Sequence, residues 1–386
     1  MTTFTESEER QELRRQVARL ASKYGREYFT EKARAGLKTT DLWLEIGSTG
    51  YLGVSIPEEY GGGGGGIGDI AAVLEELAAA GCPLLMLVVS PAICGTIIAR
   101  FGTEEQKGRW LPGIADGTST MAFAITEPDA GTNSHNITTT ARRDGDGWVL
   151  NGRKIFISGL DESANVLIVA RTEDARTGRL KPALFVVPTD AEGFEFTPIP
   201  MEIVSPEQQF QVFIDDVHLP HNALVGDEDG GLVQLFAGLN PERIMAASFA
   251  TGLARHAIEK ATAYAGERAV FGAPIGSHQA VAHPLAQAHI EVELARLMTQ
   301  KAAALVDAGD DAGAGPAANI CKYAAAEAAA HAVDVAVQTH GGNGITQEYG
   351  MAGMLVASRA MRIAPVSREM ILNFVAMHSL GLPKSY

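Results

Sequence analysis

An α+β fold, with a β unit inserted between two helical lobes, is what this sequence predicts, and three observations predict it. Apolar residues recur at helical spacing up to about residue 115, at two-residue spacing from about 120 to 235, and at helical spacing again from Asn240 onward. The 386 residues exceed what a single core usually fills, roughly 250 to 300 residues, so two or three packed units are expected. Strands and helices do not alternate along the chain, which argues against a doubly wound dinucleotide-binding sheet.

The first helix is expected from Thr5, which forms a capping box with Glu8, and its buried stripe is Leu13, Val17, Leu20 and Tyr24. Six consecutive glycines, Gly61 to Gly66, interrupt the helices. They formally contain GxGxxG, but they follow the polar SIPEEY and not an apolar strand, so a flexible surface loop is expected. The runs MAFAI, ITTTA, WVLNGRKIFIS, NVLIVART, PALFVVP and QFQVFIDDV, separated by DGDG and other turn signals, read as an antiparallel sheet. Asn240 then reads as a cap and Pro241 as a first helical residue, with Ile244, Phe249, Leu253 and Ile258 facing inward. Alanine-rich helices follow, broken by the GDDAGAGPA stretch at 309–317 and by HGGNG at 340–344. Domains are expected at 1–119 (helical), 120–235 (β) and 236–386 (helical).

A formal charge of −15 and a pI near 5.1 repel polyanions, so nucleic acid and acidic membrane surfaces are poor partners. Hydrophobic residues at 46% and charged residues at 20% fit a soluble globular chain. Cys82, Cys94 and Cys321 lack CxxC spacing, which argues against a metal site or a disulfide framework. With a polar, acidic N-terminus and no stretch of roughly 18 to 20 apolar residues, a cytoplasmic protein without a membrane span is expected.

The segment AITEPDAGTN, residues 124–133, is on its chemistry alone a polar loop at a strand end, with amides and hydroxyls that could meet a flat heterocycle or a phosphate. It resembles the ALTEPxAGSD-like signature of the acyl-CoA dehydrogenases, and NGRKIFISG after it resembles their NGxKxWITN. FGTEEQKGRWLPGIADG, ERAVFGAPIGSHQ and QTHGGNGITQEYG match in family order, so that the resemblance spans about 40–375. It implies an acyl-CoA dehydrogenase-like fold with a C-terminal four-helix bundle, FAD as cofactor, and a homotetramer. Phe123, Ile125, Thr126, Phe156 and Ser158 would line the isoalloxazine, and Gly131 and Thr132 would meet the phosphates. Phe156 and Ser158 replace the usual Trp and Thr. From a neighbouring subunit, Arg268, Phe271, Gln279, Gln338, Gly341 and Gly342 would hold the adenosine half, Arg268 as a fork of donors for pyrophosphate. Ser367 and Glu369 match further positions near the flavin.

Desaturation of an acyl thioester needs a base for the α proton, and a carboxylate serves if a dry site raises its pKa. The family commonly carries this glutamate in a YEGT motif; the matching stretch here is IAPVS, with Pro365 at the aligned position. A minority, including isovaleryl- and long-chain acyl-CoA dehydrogenases, carry it in LxxER, which LNPER matches through Glu242. Glu369 is the second choice. Read without the family, Glu242 merely complements a helix dipole in a first turn. Pro365 has no N–H to polarise the thioester carbonyl, so either Ala364 donates after a one-residue shift or the site is built differently. Thr132, Asn240 and Arg243 match positions that touch acyl-CoA, and an electron-transferring flavoprotein is the implied acceptor. The alternatives are a family-related flavoprotein of other chemistry, as in nitroalkane oxidase or flavin monooxygenases, or a non-catalytic flavin-binding subunit.

Overall fold

A computed structural model describes residues 6–174, 177–228 and 230–384. Six helices come first: α1 (Glu8–Ala21), α2 (Gly25–Arg34), α3 (Thr40–Ser48), α4 (Ile67–Ala79), α5 (Thr96–Phe101) and α6 (Glu104–Asp116). The Ser7 side chain accepts from Arg10 N–H and caps α1; the expected cap, Thr5, lies outside the described residues. A π-helical segment, Val88–Gly95, leads into α5 and is buried throughout.

The glycine run differs from the flexible loop expected of it. Amides of Gly63, Gly64 and Gly65 donate to the carbonyls of Gly53, Ile56 and Val54 at 2.8–2.9 Å, which folds the run back on its own lead-in. A Cβ on Gly62 would lie 2.1 Å from the Ile56 carbonyl oxygen, so close backbone approach explains the glycine there. Asp307, far along the chain, then accepts from the Ile67 and Gly68 amides at 2.6 and 3.1 Å and caps α4.

Eight strands form one sheet: β1 (Met121–Ala124), β2 (Thr140–Asp144), β3 (Gly147–Ser158), β4 (Asn165–Glu173), β5 (Leu180–Pro188), β6 (Phe194–Ile199), β7 (Gln209–Leu219) and β8 (Leu224–Val225). The order is β6-β7-β3-β2-β4-β5-β8, with β1 against β4. The expected antiparallel sheet is corrected at two places, since β1 and β2 each pair with β4 in parallel. Both faces of the central strands are covered. Leu167, Val169, Leu184 and Val186 face the helical core, whereas Val166, Ile168, Phe185 and Val187 join Trp148 and Phe210 on the other side. Burial on both faces is why β4 and β5 read as continuous apolar runs and not as alternation.

Three long helices follow: α7 (Gly231–Glu267), α8 (Gln279–Asp307) and α9 (Asp311–His340). Helix α7 begins before Asn240, so Pro241 is an interior residue and not the first one. The expected loop at 309–317 is also mostly helix. Asp310 accepts from Gly313 N–H at 3.0 Å and starts α9, and buried Ala314, Ala317 and Ala318 hold the first turns despite Gly313, Gly315 and Pro316. A hairpin, β9 (Ala269–Val270) with β10 (Ala273–Pro274), joins α7 to α8. Short helices α10 (Leu355–Ala360) and α11 (Arg368–Phe374) pack on α9.

The lobes are bolted together by a buried ion network. Arg14 of α1 reaches Glu75 and Glu76 of α4 at 2.6 and 2.8 Å; Arg255 of α7 meets Glu76 at 2.9 Å and Arg296 of α8 meets Glu75 at 2.5 Å. Among the described residues, no helix is long and apolar enough to cross a membrane.

Candidate active site

Strand β1 delivers Phe123 and, just past its end, Ile125 and Thr126; β3 delivers Phe156 and Ser158 beside them. Ile155 N–H donates to the Thr126 carbonyl at 3.0 Å, and Lys154 Nζ donates to the Ile125 carbonyl at 2.9 Å. Lys154 is fully buried and also pairs with Glu127 Oε1 at 2.9 Å. Glu127 accepts in addition from Thr138 N–H and Oγ1 and from Thr139 N–H. Burial alone would raise the Glu127 carboxyl, yet Lys154 and these donors outweigh it and hold the pKa near about 2.

A register shift between Lys154 and Ile157 bulges β3, and there Phe156 takes a φ of 57°. A left-handed phenylalanine costs on the order of 1–3 kcal/mol. The conformation leaves its ring 54% exposed, over a loop in which Gly131 and Thr132 are also exposed. Phe123 is buried behind them, Ile125 and Thr126 are half-buried, and Ser158 Oγ pairs with the Gln209 amide at 2.9 Å. An open aromatic face, a hydroxyl at its edge and an uncrowded glycine fit a flat heterocycle with polar rims.

Glu242 lies on α7, in dense surroundings but with part of its own surface accessible. Burial raises its carboxyl to about 7, with Arg243 and Lys322 pulling in the other direction. Glu242 faces Cys94 of the π-helical segment: burial first, and the Glu242 charge second, push that thiol up. Cys94 Sγ in turn lies 3.4 Å from the Ala122 carbonyl, one residue from Phe123. Because α7 starts at Gly231, Glu242 sits well inside the helix, so the dipole role expected of a first-turn carboxylate is absent. Arg243 bonds Asn240 Oδ1 at 2.9 Å, lies over the Phe236 ring, and has a buried Nε with no partner among the described residues.

The remaining candidates fall into two groups. Ser367 caps α11, and Glu369 in its first turn is within electrostatic reach of Lys322, so both lie on the Glu242 side. Arg268, Phe271, Gln279, Gln338, Gly341 and Gly342 gather where α7 and α9 end and α8 begins, all of them exposed. Asn343 bonds the Tyr264 hydroxyl at 3.1 Å and His340 stacks on the Tyr264 ring, fixing this end. Phe271 is 97% exposed with a φ of 55° at the hairpin tip. From Glu242 to Glu267 the same helix rises about 38 Å. One chain therefore does not bring the two groups together.

Matches to three family models run consecutively: the acyl-CoA dehydrogenase N-terminal domain over residues 7–118, the middle domain over 122–217 and the C-terminal domain over 229–380. The chain belongs to the acyl-CoA dehydrogenase family. It is 65% identical to acyl-CoA dehydrogenase FadE12 of Mycobacterium tuberculosis, over 100% of this chain and 99% of that one. Butyryl-CoA dehydrogenase from Megasphaera elsdenii superposes with a TM-score of 0.90 at 28% identity, covering 96% of this chain and 98% of that one. PigA with FAD and proline superposes with a TM-score of 0.91 at 25% identity, covering 99% and 100%. This acyl-CoA dehydrogenase is an FAD-dependent oxidoreductase, and its exposed Phe156 face and open Gly131 loop suit that cofactor.

The sequence reading of this enzyme gave no site role to four buried residues near these candidates: Cys94, the paired Lys154 and Glu127, and Lys322. A lysine in an alanine-rich helix was the available signal for Lys322, since it is 2% exposed there. One alternative at IAPVS is removed, because Ala364 N–H already donates to the Ala360 carbonyl at 2.9 Å.

Proposed function

We propose that this enzyme desaturates an acyl-CoA thioester between Cα and Cβ to the trans-2-enoyl-CoA, with Glu242 as the base for the α proton. What supports this most is a carboxylate on α7 that burial raises to about 7, near enough to push up the Cys94 thiol, whose Sγ lies 3.4 Å from the Ala122 carbonyl next to Phe123. A base with a pKa near ambient pH is about half ionised and still holds a proton well. FAD, when bound, accepts the hydride leaving Cβ. Arg243, braced by Asn240, offers its free Nε to an oxygen of the substrate, and Thr132 on the open loop supplies a hydroxyl.

The second group of flavin contacts belongs, on this reading, to a neighbouring copy. Helix length supports it, as do the outward Phe271 and an exposed apolar stripe on α8, Ile290, Leu294 and Leu297, which spaced this way needs a covering surface. A homotetramer and an electron-transferring flavoprotein as acceptor complete the proposal. The test is anaerobic: a panel of straight and branched acyl-CoAs is mixed with the yellow protein. Bleaching of the flavin is expected, slowed about 10²- to 10⁴-fold in Glu242→Gln with FAD retained. Bleaching at the parent rate in that variant would remove Glu242 as the base, and a parent that no acyl-CoA bleaches would favour a non-catalytic flavin-binding role.

A further inference from the structure

Helix α9 is built from alanines where it packs: Ala317, Ala318, Ala325, Ala326, Ala328 and Ala329 are all buried. Lys322 interrupts them at 2% exposure. Burying an ammonium costs several kcal/mol unless charge and hydrogen bonds compensate, and packing here needs no cation. Its Nζ donates to the Val366 carbonyl at 2.7 Å. Five residues on, Glu327 accepts from Arg362 Nη2 at 2.7 Å and pairs with Arg368 Nη1 at 3.7 Å. Arg368 N–H closes the same loop onto the Arg362 carbonyl at 3.0 Å. So α9 grips the 362–368 loop at its centre and at both ends. That loop contains Pro365, which has no amide to donate, and Ala364, whose amide is taken.

Burial and the nearby Arg243 charge lower Lys322 to about 8, and Glu242 is the strongest of the carboxylates pulling it back up. The charged and titratable groups around that carboxylate are Arg243 on its own helix, Lys322 on α9 with Cys321 beside Arg243, and Cys94 on the π-helical segment. Glu327 and Glu369 of α11 act on Lys322 and not directly on Glu242.

We propose that Lys322 and Glu327 are positioning residues for the dehydrogenation, Lys322 presenting its ammonium to Glu242 while tying down the 362–368 loop, and Glu327 holding the ends of that loop. The proposal rests on Glu242 being the base. Neither residue touches substrate in this scheme; each acts through Glu242 and the loop.

The experiment uses the full-length FAD-loaded protein and the variants Lys322→Met, Lys322→Arg and Glu327→Gln. Difference infrared spectroscopy follows the protonated carboxyl band that Glu242→Gln abolishes, titrated with pH and without substrate. In Lys322→Met the midpoint should rise by about one pH unit, because an opposing charge has been removed, and Lys322→Arg should restore the parent midpoint. In rapid mixing with butyryl-CoA and isovaleryl-CoA, Lys322→Met should slow flavin bleaching about fivefold at pH 7 while the half-saturating concentration stays within about twofold, and the loss should shrink as pH rises. Glu327→Gln should leave the infrared midpoint in place and raise half-saturation. An unchanged midpoint in Lys322→Met, or Lys322→Arg behaving like Lys322→Met, overturns the proposal. Should Lys322→Met not fold, Lys322→Gln, which keeps a donor and loses the charge, gives the same reading. If no acyl-CoA bleaches the parent, the desaturation reading falls, while the infrared midpoints still decide the role of Lys322.

Discussion

Two glutamates, each acted on by a buried lysine, behave oppositely. Glu127 is 2.9 Å from Lys154 and receives three further bonds from Thr138 and Thr139, so its charge is fully met and its carboxyl is held near about 2. Glu242 is opposed by Arg243 and Lys322, but their charges do not offset its burial, and it is raised to about 7. The lysine that could have neutralised it spends a donor on the Val366 carbonyl. Residue type does not separate a clamp from a proposed base; the number of donors does.

The contrast breaks most visibly at the clamp. Lys154→Met strands Glu127 in a dry site, which should cost about 3–5 kcal/mol of stability by denaturant titration and release FAD, since the Ile125 carbonyl loses its donor too. If unfolding is unchanged, the pair is not what fixes the wall. The base shows the reverse sign. With its folded pKa above the unfolded value, Glu242 is least costly to the fold below about pH 4.5 and becomes progressively destabilising as pH rises through about 7. Glu242→Gln should therefore match the parent in melting temperature at pH 4.5 and exceed it at pH 8, by up to about 3 kcal/mol. A melting difference independent of pH would show that Glu242 is not buried as a carboxylate. The smallest effect belongs to the wall's edge: Ser158→Ala loses the bond to Gln209, and FAD retention by ultrafiltration should weaken about fivefold, the equivalent of about 1 kcal/mol.

Much of this architecture was legible because periodicity survives in single sequences: six of the eight sheet strands stand out by their apolar runs. Phe194–Ile199 was missed because Phe194 alone is fully buried there, and Leu224–Val225 because it is two residues long. Asn240 and Pro241 misled because their pair is a common helix start, while burial of Leu235 and Gly238 against the helical lobe extends α7 back through them. For the site, motif spacing pointed to Glu242 and Phe156 as the candidates that the proposal builds on. Nothing in spacing could reveal that Lys154 and Glu127, or Lys322 and Val366, meet across 27 and 44 residues.

Helix α7 carries Glu242 inside its first half and ends about 38 Å further on at Glu267, with Arg268 next in the chain. If Arg268 serves a neighbour's cofactor, each catalytic centre is a composite of two polypeptides, and damaging substitutions sort into two complementation groups. Chains disabled at Glu242 and chains disabled at Arg268, each inactive by itself, would regain part of the turnover when co-expressed, because a mixed assembly contains some centres built from two undamaged halves.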